Sequence, residues 1–329
     1  MRPQSTAGIH SIAEYLPANV ATVGELHDRG LLSGSPETLK SFGFDTVHLA
    51  GKESNLDMAI AAAQRVLEES DIDRDEIGMI LYAAALSSSA TLWDGNGGSP
   101  HGSVLQLETV ADLFKYPASV LQTELDLPNA SVVGINQIGC ASIFAALRMA
   151  KALIVAEDDL RAVLCVSADK FPAGRHRDLA YNVVSDGACA TIIRRGDSRN
   201  RIVACAQVTK GALWDSEEIE NEIIAAYFPT ATALIERTLA KAGLEMDDIS
   251  LVIPHNVSLR SWEILGRLIQ CPPERIYTEN IARVGHTIAS DNLLNLRRAT
   301  EAGLIEKGDY LLLFTFGYGS NWACMIVQH

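Results

Sequence analysis

Short apolar runs closed by turn residues alternate along this chain with longer segments whose apolar residues recur at helical spacing. The short runs predict strands at Gly78–Ala84, Ser131–Ile135, Ala162–Ser167, Ala188–Arg194, Ile202–Val208, Ser250–Pro254, Tyr310–Phe316 and Cys324–Gln328. The helical spacing predicts helices at Asn55–Ser70, Val104–Phe114, Pro117–Glu124, Ala141–Ala156, Glu217–Ala242, Leu259–Gln270 and Asn292–Ala302. Between them, Ser87 to Ser103 (SSSATLWDGNGGSPHGS) is too polar and glycine-rich for regular structure. Loops of that length in compact domains are usually functional or mobile.

The pattern repeats. Gln64–Tyr82 (QRVLEESDIDRDEIGMILY) aligns with Glu236–Pro254 (ERTLAKAGLEMDDISLVIP) at a constant offset of 172, so that Arg65 meets Arg237, Leu67 meets Leu239, Asp75 meets Asp247 and Ile80 meets Val252. Each copy is a helix, an acidic turn and a strand. A second echo pairs Gly187–Arg195 with Asn321–His329. Two copies of one mixed α/β unit imply pseudo-symmetric halves packed sheet to sheet, since two repeats are too few for a solenoid. Gly196–Arg201 (GDSRNR) is the natural join, giving halves of 1–197 and 198–329.

Composition narrows the class. A chain of 329 residues with 48% hydrophobic and 21% charged content builds a sizeable core and is neither disordered nor fibrous. No apolar run reads as long enough to span a membrane and no basic-then-apolar leader opens the chain, which places it in the cytoplasm. Six scattered cysteines without CxxC spacing or a His/Cys cluster argue against a disulfide framework and against a metal site. A formal net charge of -14 disfavours nucleic acid and anionic membrane as partners.

One cysteine stands apart. Ser131–Ile135 (SVVGI) reads as a short buried strand, Asn136 to Gly139 turn the chain, and Cys140 opens the helical run ASIFAALRMAKALIVA. The unpaired N–H groups and the dipole of a helix N-terminus favour a thiolate, and Gly139 permits a tight turn with open approach to sulfur. Strand, turn and helix in that order build a cysteine nucleophile. The other five cysteines lie in apolar runs or loops and read as packing residues.

A cysteine acting on a thioester requires a base or hydrogen-bond donor, and donors for the oxyanion. Three stretches of the second half supply candidates at the ends of core elements. They are Ile253–Asn256 with His255, Gly285–Asp291 with His286, and the glycine turn Phe316–Asn321. Asp291 is placed either to N-cap the helix that follows or to orient an imidazole, and these roles are compatible. Gly317 and Gly319 allow a backbone N–H to point at a ligand, although the same turn also suits a plain hairpin.

With these pieces in order, the chain resembles the thiolase superfamily, and within it β-ketoacyl-acyl-carrier-protein synthase III. The resemblance runs nearly end to end. It rests on IHSIAEYLPANVATVGEL near the start, NQIGCAS at the nucleophile turn, SDGACATII closing the first half, and HN, GHT and FGYGSNWA in the second. It implies an α/β, five-layered αβαβα fold made of two duplicated halves, and an obligate homodimer. It implies no permanently bound cofactor. Cys140 takes an acyl group from coenzyme A or an acyl carrier protein and hands it to a second substrate. The amides of Cys140 and of one residue among Gly317, Tyr318 and Gly319 form the oxyanion hole, and His255 steadies the thioester carbonyl or enolate.

Departures from the family pattern shape the functional expectation. Synthase III enzymes usually carry asparagine after glycine in the third motif, where this chain has His286. His286 with Asp291 resembles the priming-synthase and acyltransferase branch of polyketide pathways, in which the aspartate supports an acid/base histidine. The Arg-Thr-Gly-Ile-Arg segment of housekeeping enzymes is Phe42–His48 here, without the arginine and aromatic residues that grip coenzyme A. The expectation is decarboxylative Claisen condensation on a malonyl-type thioester, with an acyl carrier protein as donor. Acyl transfer to an alcohol, amine or other carrier is the alternative, and a non-catalytic partner subunit the third reading. An acidic carrier would dock on a local basic patch, for which Arg260 and Arg267, after His255, are candidates.

Overall fold

The computed structural model describes residues 6–86, 116–179, 182–214 and 220–329. The Ser87–Ser103 loop and the Val104–Phe114 helix expected from the sequence lie outside the described residues.

Nine strands carry the architecture. They are β1 (Ala7–Tyr15), β2 (Ile77–Ala83), β3 (Ser131–Ile135), β4 (Ala162–Asp169), β5 (Gly187–Arg195), β6 (Arg201–Thr209), β7 (Ile249–Ile253), β8 (Tyr310–Gly317) and β9 (Asn321–Gln328). Their hydrogen-bonded order is β7-β8-β9-β6-β1-β5-β4-β2-β3. In the first half β1, β5 and β4 pair antiparallel, and β4, β2 and β3 parallel. The second half repeats the scheme, with β6, β9 and β8 antiparallel and β8 parallel to β7. A fifth place is marked by a single parallel bridge, Val252 to Ile276, which copies the Ile80–Val132 pairing of the first half. The two halves meet along the sheet at one register pair, Gly8 with Arg201.

Alternate residues of each strand enter different layers, because successive side chains point to opposite faces. Leu81, Val163 and Ile193 from one half join Ile253, Leu311, Leu313 and Met325 from the other in a single core. Between them lie helix α3 (Ser142–Ala156), through Phe144, Leu147 and Ile154, and helix α6 (Asp291–Glu301), through Leu293 and Leu296. On one outer face Ile80, Leu164 and Ile192 pack on α1 (Asn55–Glu69) and α2 (Pro117–Glu124). On the other, Val252, Leu312 and Ile326 pack on α4 (Glu220–Ala242) and α5 (Leu259–Leu268). The result is the expected five-layered αβαβα arrangement.

Three sequence readings change. Strand β1 was not expected, because its register shifts between Ile9 and Ser11, and an inserted residue breaks the period of two that marks a strand. Strand β3 is not buried. It is the outermost strand of its half, and Val133 on it is 37% exposed. The Gly139–Ala156 segment is, by length and composition, apolar enough to cross a membrane, with a mean hydropathy of 1.6 over 18 residues. Half of it is buried inside the protein, as suits the middle layer of a sandwich.

Candidate active site

The thiol is delivered by a strained turn. After β3, Gln137 and Gly139 both take left-handed backbone angles, with φ of 68° and 52°. A Cβ on Gly139 would lie 2.8 Å from the Tyr318 carbonyl oxygen and 2.9 Å from its nitrogen, so glycine is required there by conformation and by space. Cys140 does not open the α-helix as expected. It sits in a single 3-10 turn, Gly139–Ala141, that tightens the chain just before α3. The nucleophile candidate is therefore held at the head of the central helix and is 6% exposed.

The second half brings its residues to the same point by the equivalent helix. Gly285 takes φ 71°, and a Cβ there would lie 2.9 Å from the Val183 carbonyl. His286 then accepts from the Ser185 amide at 2.8 Å through its carbonyl and donates its own amide to Val183 at 2.8 Å, which fixes its backbone to the first half. Its Nε2 lies 3.4 Å from Cys140 Sγ. Its Nδ1 donates to Asp291 Oδ2 at 2.5 Å.

Asp291 does not cap the helix. The helix begins at Asp291 itself, after Ser290, and no side-chain cap bond is made there. The wholly buried carboxylate instead collects four donors. Oδ1 accepts from the amide and the hydroxyl of Thr287, each at 2.7 Å, and Oδ2 accepts from the Asn256 amide at 2.7 Å besides His286. Of the two roles open in the sequence, the geometry realises the orienting one.

His255 follows β7 and is 1% exposed. Its ring lies edge-on to His286, Trp262 and Phe314, with centroids 6.3, 5.7 and 5.9 Å away. Trp262 Nε1 donates to the His255 carbonyl at 3.0 Å. Among the described residues neither ring nitrogen of His255 has a hydrogen-bond partner. A buried imidazole with free nitrogens beside a thiol is available to a ligand.

Electrostatics divides the two histidines. Burial, and secondarily the charge of His286, pushes the pKa of His255 down from 6.5 to about 3, so it is neutral at working pH. Burial alone would lower His286 as well, but the Asp291 carboxylate and the neighbouring Cys140 raise it to about 10. Burial opposes the charge of Asp291, yet the His286 contact holds its pKa below the usual carboxylate range. Below pH 6.5 the unfolded chain takes up a proton at residue 255 that the native state refuses. A His255→Gln variant therefore gains stability relative to wild type as pH falls from 6.5 towards about 3. Thermal midpoints across that range are the check, and a pH-independent difference would contradict a buried neutral imidazole.

The glycine turn closes the site from above. Gly317 ends β8 and pairs with Asn321 at the start of β9. A Cβ on Gly317 would stand 2.5 Å from the Cys140 nitrogen and 2.8 Å from the Ile138 carbonyl oxygen. The backbones of Gly317–Tyr318 and Gly139–Cys140 thus touch, with Gly319 at φ 78° continuing the turn. Gly317→Ala forces backbone apart beside the thiol, and kcat is expected to fall about 100-fold, the scale of losing one oxyanion donor. Steady-state kinetics reads this, with KM for the donor the less affected constant.

Arg260 and Arg267 stand exposed on α5, which begins four residues after His255, and neither belongs to the thiol cluster. The other cysteines are in packed surroundings. Burial raises the pKa of Cys271 to about 11 and of Cys324 to about 12, and it raises those of Cys165 and Cys189 as well.

Sequence reasoning missed the asparagines that hold this site. Asn292 Nδ2 donates to the carbonyls of Ile253 and Phe314 at 2.9 and 3.0 Å, tying α6 to the ends of β7 and β8. Asn295 Nδ2 donates to the Pro254 carbonyl and to Asn256 Oδ1, both at 2.8 Å, and Asn256 Nδ2 donates to the Gly285 carbonyl at 2.8 Å. The available signal was the polar set Asp291, Asn292 and Asn295 interleaved with Leu293, Leu294 and Leu296 at the start of a helix.

Comparison with known proteins gives the family and the common fold. The family description 3-oxoacyl-(acyl-carrier-protein) synthase III matches residues 135–211, and the description of its C-terminal part matches residues 239–329, together more than half of the chain. The β-ketoacyl-(acyl-carrier-protein) synthase III of Aquifex aeolicus is 24% identical over 327 residues, covering 96% of this chain and 97% of the relative. An acyltransferase structure, ChlB3, superposes with a TM-score of 0.80 at 22% identity over 98% of this chain and 97% of that one. The priming β-ketosynthase of the R1128 polyketide pathway superposes with a TM-score of 0.77 at 17% identity over 100% of this chain and 98% of that one. These structures establish the common fold. The family descriptions span the turn that carries Cys140 and the whole stretch from His255 to the glycine turn, and the chain belongs to the 3-oxoacyl-acyl-carrier-protein synthase III family.

Proposed function

We propose that this protein takes an acyl group onto Cys140 from an acyl-carrier-protein thioester and transfers it by decarboxylative condensation to a malonyl-type thioester. The observation that carries this reading is the buried relay from Cys140 Sγ through His286 to Asp291, at 3.4 and 2.5 Å. The sulfur of Cys140 attacks the thioester carbonyl. Negative charge collects on the carbonyl oxygen, opposite the amides of Cys140 and of one residue of Gly317–Gly319. His286 gives its Nε2 proton to the departing thiol. Once sulfur is acylated, the Cys140 contribution to the raised pKa of His286 is gone, which readies the imidazole for the second step.

In that step the malonyl thioester loses carbon dioxide and its enolate carbon attacks the acyl-Cys140 carbonyl. The C–S bond breaks, Cys140 leaves as the thiolate, and His286, neutral since the first step, regains its proton from solvent. Neutral His255 donates one ring N–H to the thioester oxygen as the enolate forms. A neutral donor suits this role because it stabilises the enolate oxygen without itself needing to titrate.

A carrier-protein donor is supported by the Phe42–His48 segment. Phe44 and Val47 within it are core residues, 1% and 0% exposed, and the segment has no arginine to hold a nucleotide. Arg260 and Arg267 on α5 are exposed and suit an acidic carrier. Among the described residues β3 pairs on one side only, and its outer edge suits a second copy in a homodimer.

Transfer to an alcohol or amine is the second reading, favoured by the His286–Asp291 pair. There His286 takes the proton of the attacking nucleophile, and no carbon is lost. Incubation with acyl carrier and radiolabelled malonyl carrier separates the two. Carbon dioxide released in step with a β-ketoacyl product supports condensation; acyl-enzyme formed without carbon dioxide release, and discharged by an alcohol or amine, rejects it.

A further inference from the structure

Among the described residues, Ile288 is the only β-branched one with a left-handed backbone, at φ 58°. It follows His286 by two places and is the first central residue of a turn closed by the Ser290 amide, which donates to the Thr287 carbonyl at 3.1 Å. A positive φ at that place in a turn suits glycine or asparagine, and a β-branched side chain there is strained. Strain of this kind persists only where the surroundings fix the chain, and it gathers at sites that do chemistry.

Two buried carboxylates, one from each half, fix this turn. On one side of Ile288 the Thr287 amide and hydroxyl donate to Asp291 Oδ1 at 2.7 Å each. On the other the Ala289 amide donates to Asp169, the wholly buried last residue of β4. Asp169 Oδ1 also accepts from the Ala85 and Leu86 amides, each at 3.2 Å. Held in this way, Ile288 is 6% exposed and shares one buried apolar cluster with Cys140, Phe171 and Val184, against which Ala85, Leu86 and Leu179 pack. The other walls of the cluster are anchored too. The Phe171 amide donates to Asp186 Oδ1 at 2.7 Å, and Val184 forms an isolated parallel bridge with His286. Glycine at position 288 would take the same backbone angle without strain, and the Thr287 and Ala289 amides would keep their acceptors. The turn itself therefore gives no reason for isoleucine. The reason lies in the side chain, which fills space beside the sulfur.

We propose that Ile288 is a specificity-determining residue that limits the length of the acyl chain Cys140 accepts. The inference rests on the reading of Cys140 as the acyl-bearing nucleophile. In that step the acyl carbon bonds to the Cys140 sulfur, the donor's C–S bond breaks, and the donor thiol leaves with the proton of His286. An apolar chain on Cys140 then has Ile288, Phe171 and Val184 as its nearest apolar neighbours, and a side chain removed at position 288 becomes room for further methylenes.

Intact-protein mass spectrometry over time, with straight-chain coenzyme A and carrier-protein thioesters from acetyl to decanoyl, gives the loading rates of wild type, Ile288→Gly and Ile288→Val. The ratio of decanoyl to acetyl loading is expected to rise roughly tenfold or more in Ile288→Gly, the scale on which apolar pockets discriminate. In Ile288→Val, which is one carbon shorter and equally β-branched, the ratio is expected to move the same way by less. Glycine suits the left-handed turn, so the first variant is expected to fold; should it not, the valine variant carries the test. An unchanged ratio in every folded variant, or an equal loss of loading at every chain length, overturns the proposal and leaves the nucleophile reading standing. A wild type that loads from no donor defeats that reading and this inference with it.

Discussion

Cys140→Ala is expected to abolish the mass gain that wild type is expected to show after incubation with acyl-carrier or acyl-coenzyme A thioesters. Turnover falls by about 1,000-fold or more, since no neighbouring group replaces the nucleophile. The side chain removed is one sulfur in a turn whose conformation is set by Gln137, Gly139 and the Gly317–Tyr318 backbone, not by the thiol. Stability is therefore expected to change by only about 1 kcal/mol, the scale of a small truncation. Intact-protein mass spectrometry gives the answer directly and names the donor that loads. An adduct that survives in Cys140→Ala places the nucleophile elsewhere. Full turnover by the variant inside a larger complex would reduce this chain to a structural partner.

Asp291→Asn has the second large effect, on rate and on folding together. Asparagine offers one oxygen where the carboxylate accepts from Thr287, Asn256 and His286, so a buried donor is left facing a donor. Breaking such a buried pair costs about 3–5 kcal/mol, and misorienting the imidazole lowers kcat roughly 100- to 10,000-fold. A merely structural loss would leave the pH profile in place. Here the pKa of His286 owes its rise to about 10 to Asp291 and Cys140, so the acylation profile of the variant shifts to lower pH. The stability difference has a pH signature too. The raised pKa of His286 means that its contribution is full below 6.5 and is lost as pH rises through about 10. The depressed pKa of Asp291 adds stability that is full above 3.8 and is lost as pH falls below it. Wild type and variant should therefore differ most between those limits. An unshifted profile would remove Asp291 from the relay.

Much of the site was legible because its chemistry sits at element ends, where sequence signals are strongest. A glycine beside a cysteine at a strand-to-helix turn marks Cys140, and Gly285 beside His286 marks the matching turn of the second copy. The internal repeat then anticipated the architecture: Ile80 and Val252, aligned at the constant offset, take the same place on β2 and β7. Long-range pairing was illegible. The local Thr287 amide alone does not distinguish Asp291 as a cap from Asp291 as a carboxylate turned towards His286, because the choice rests also on the Asn256 amide, which only folding brings to it. The same holds for Asn292 and Asn295, which look like solvated helix residues until the layers enclose them.

The order of buried runs, their duplication and the residue types at their ends were settled by local chemistry, since periodicity and turn preference depend on near neighbours. The burial of strands and helices was settled otherwise. β3 has the composition of a core strand yet lies at an edge, and Gly139–Ala156 has that of a membrane span yet forms the middle layer. The different protonation states of His255 and His286 belong to the tertiary structure as well. Two histidines that are alike in sequence acquire opposite shifts because only one of them lies against a carboxylate.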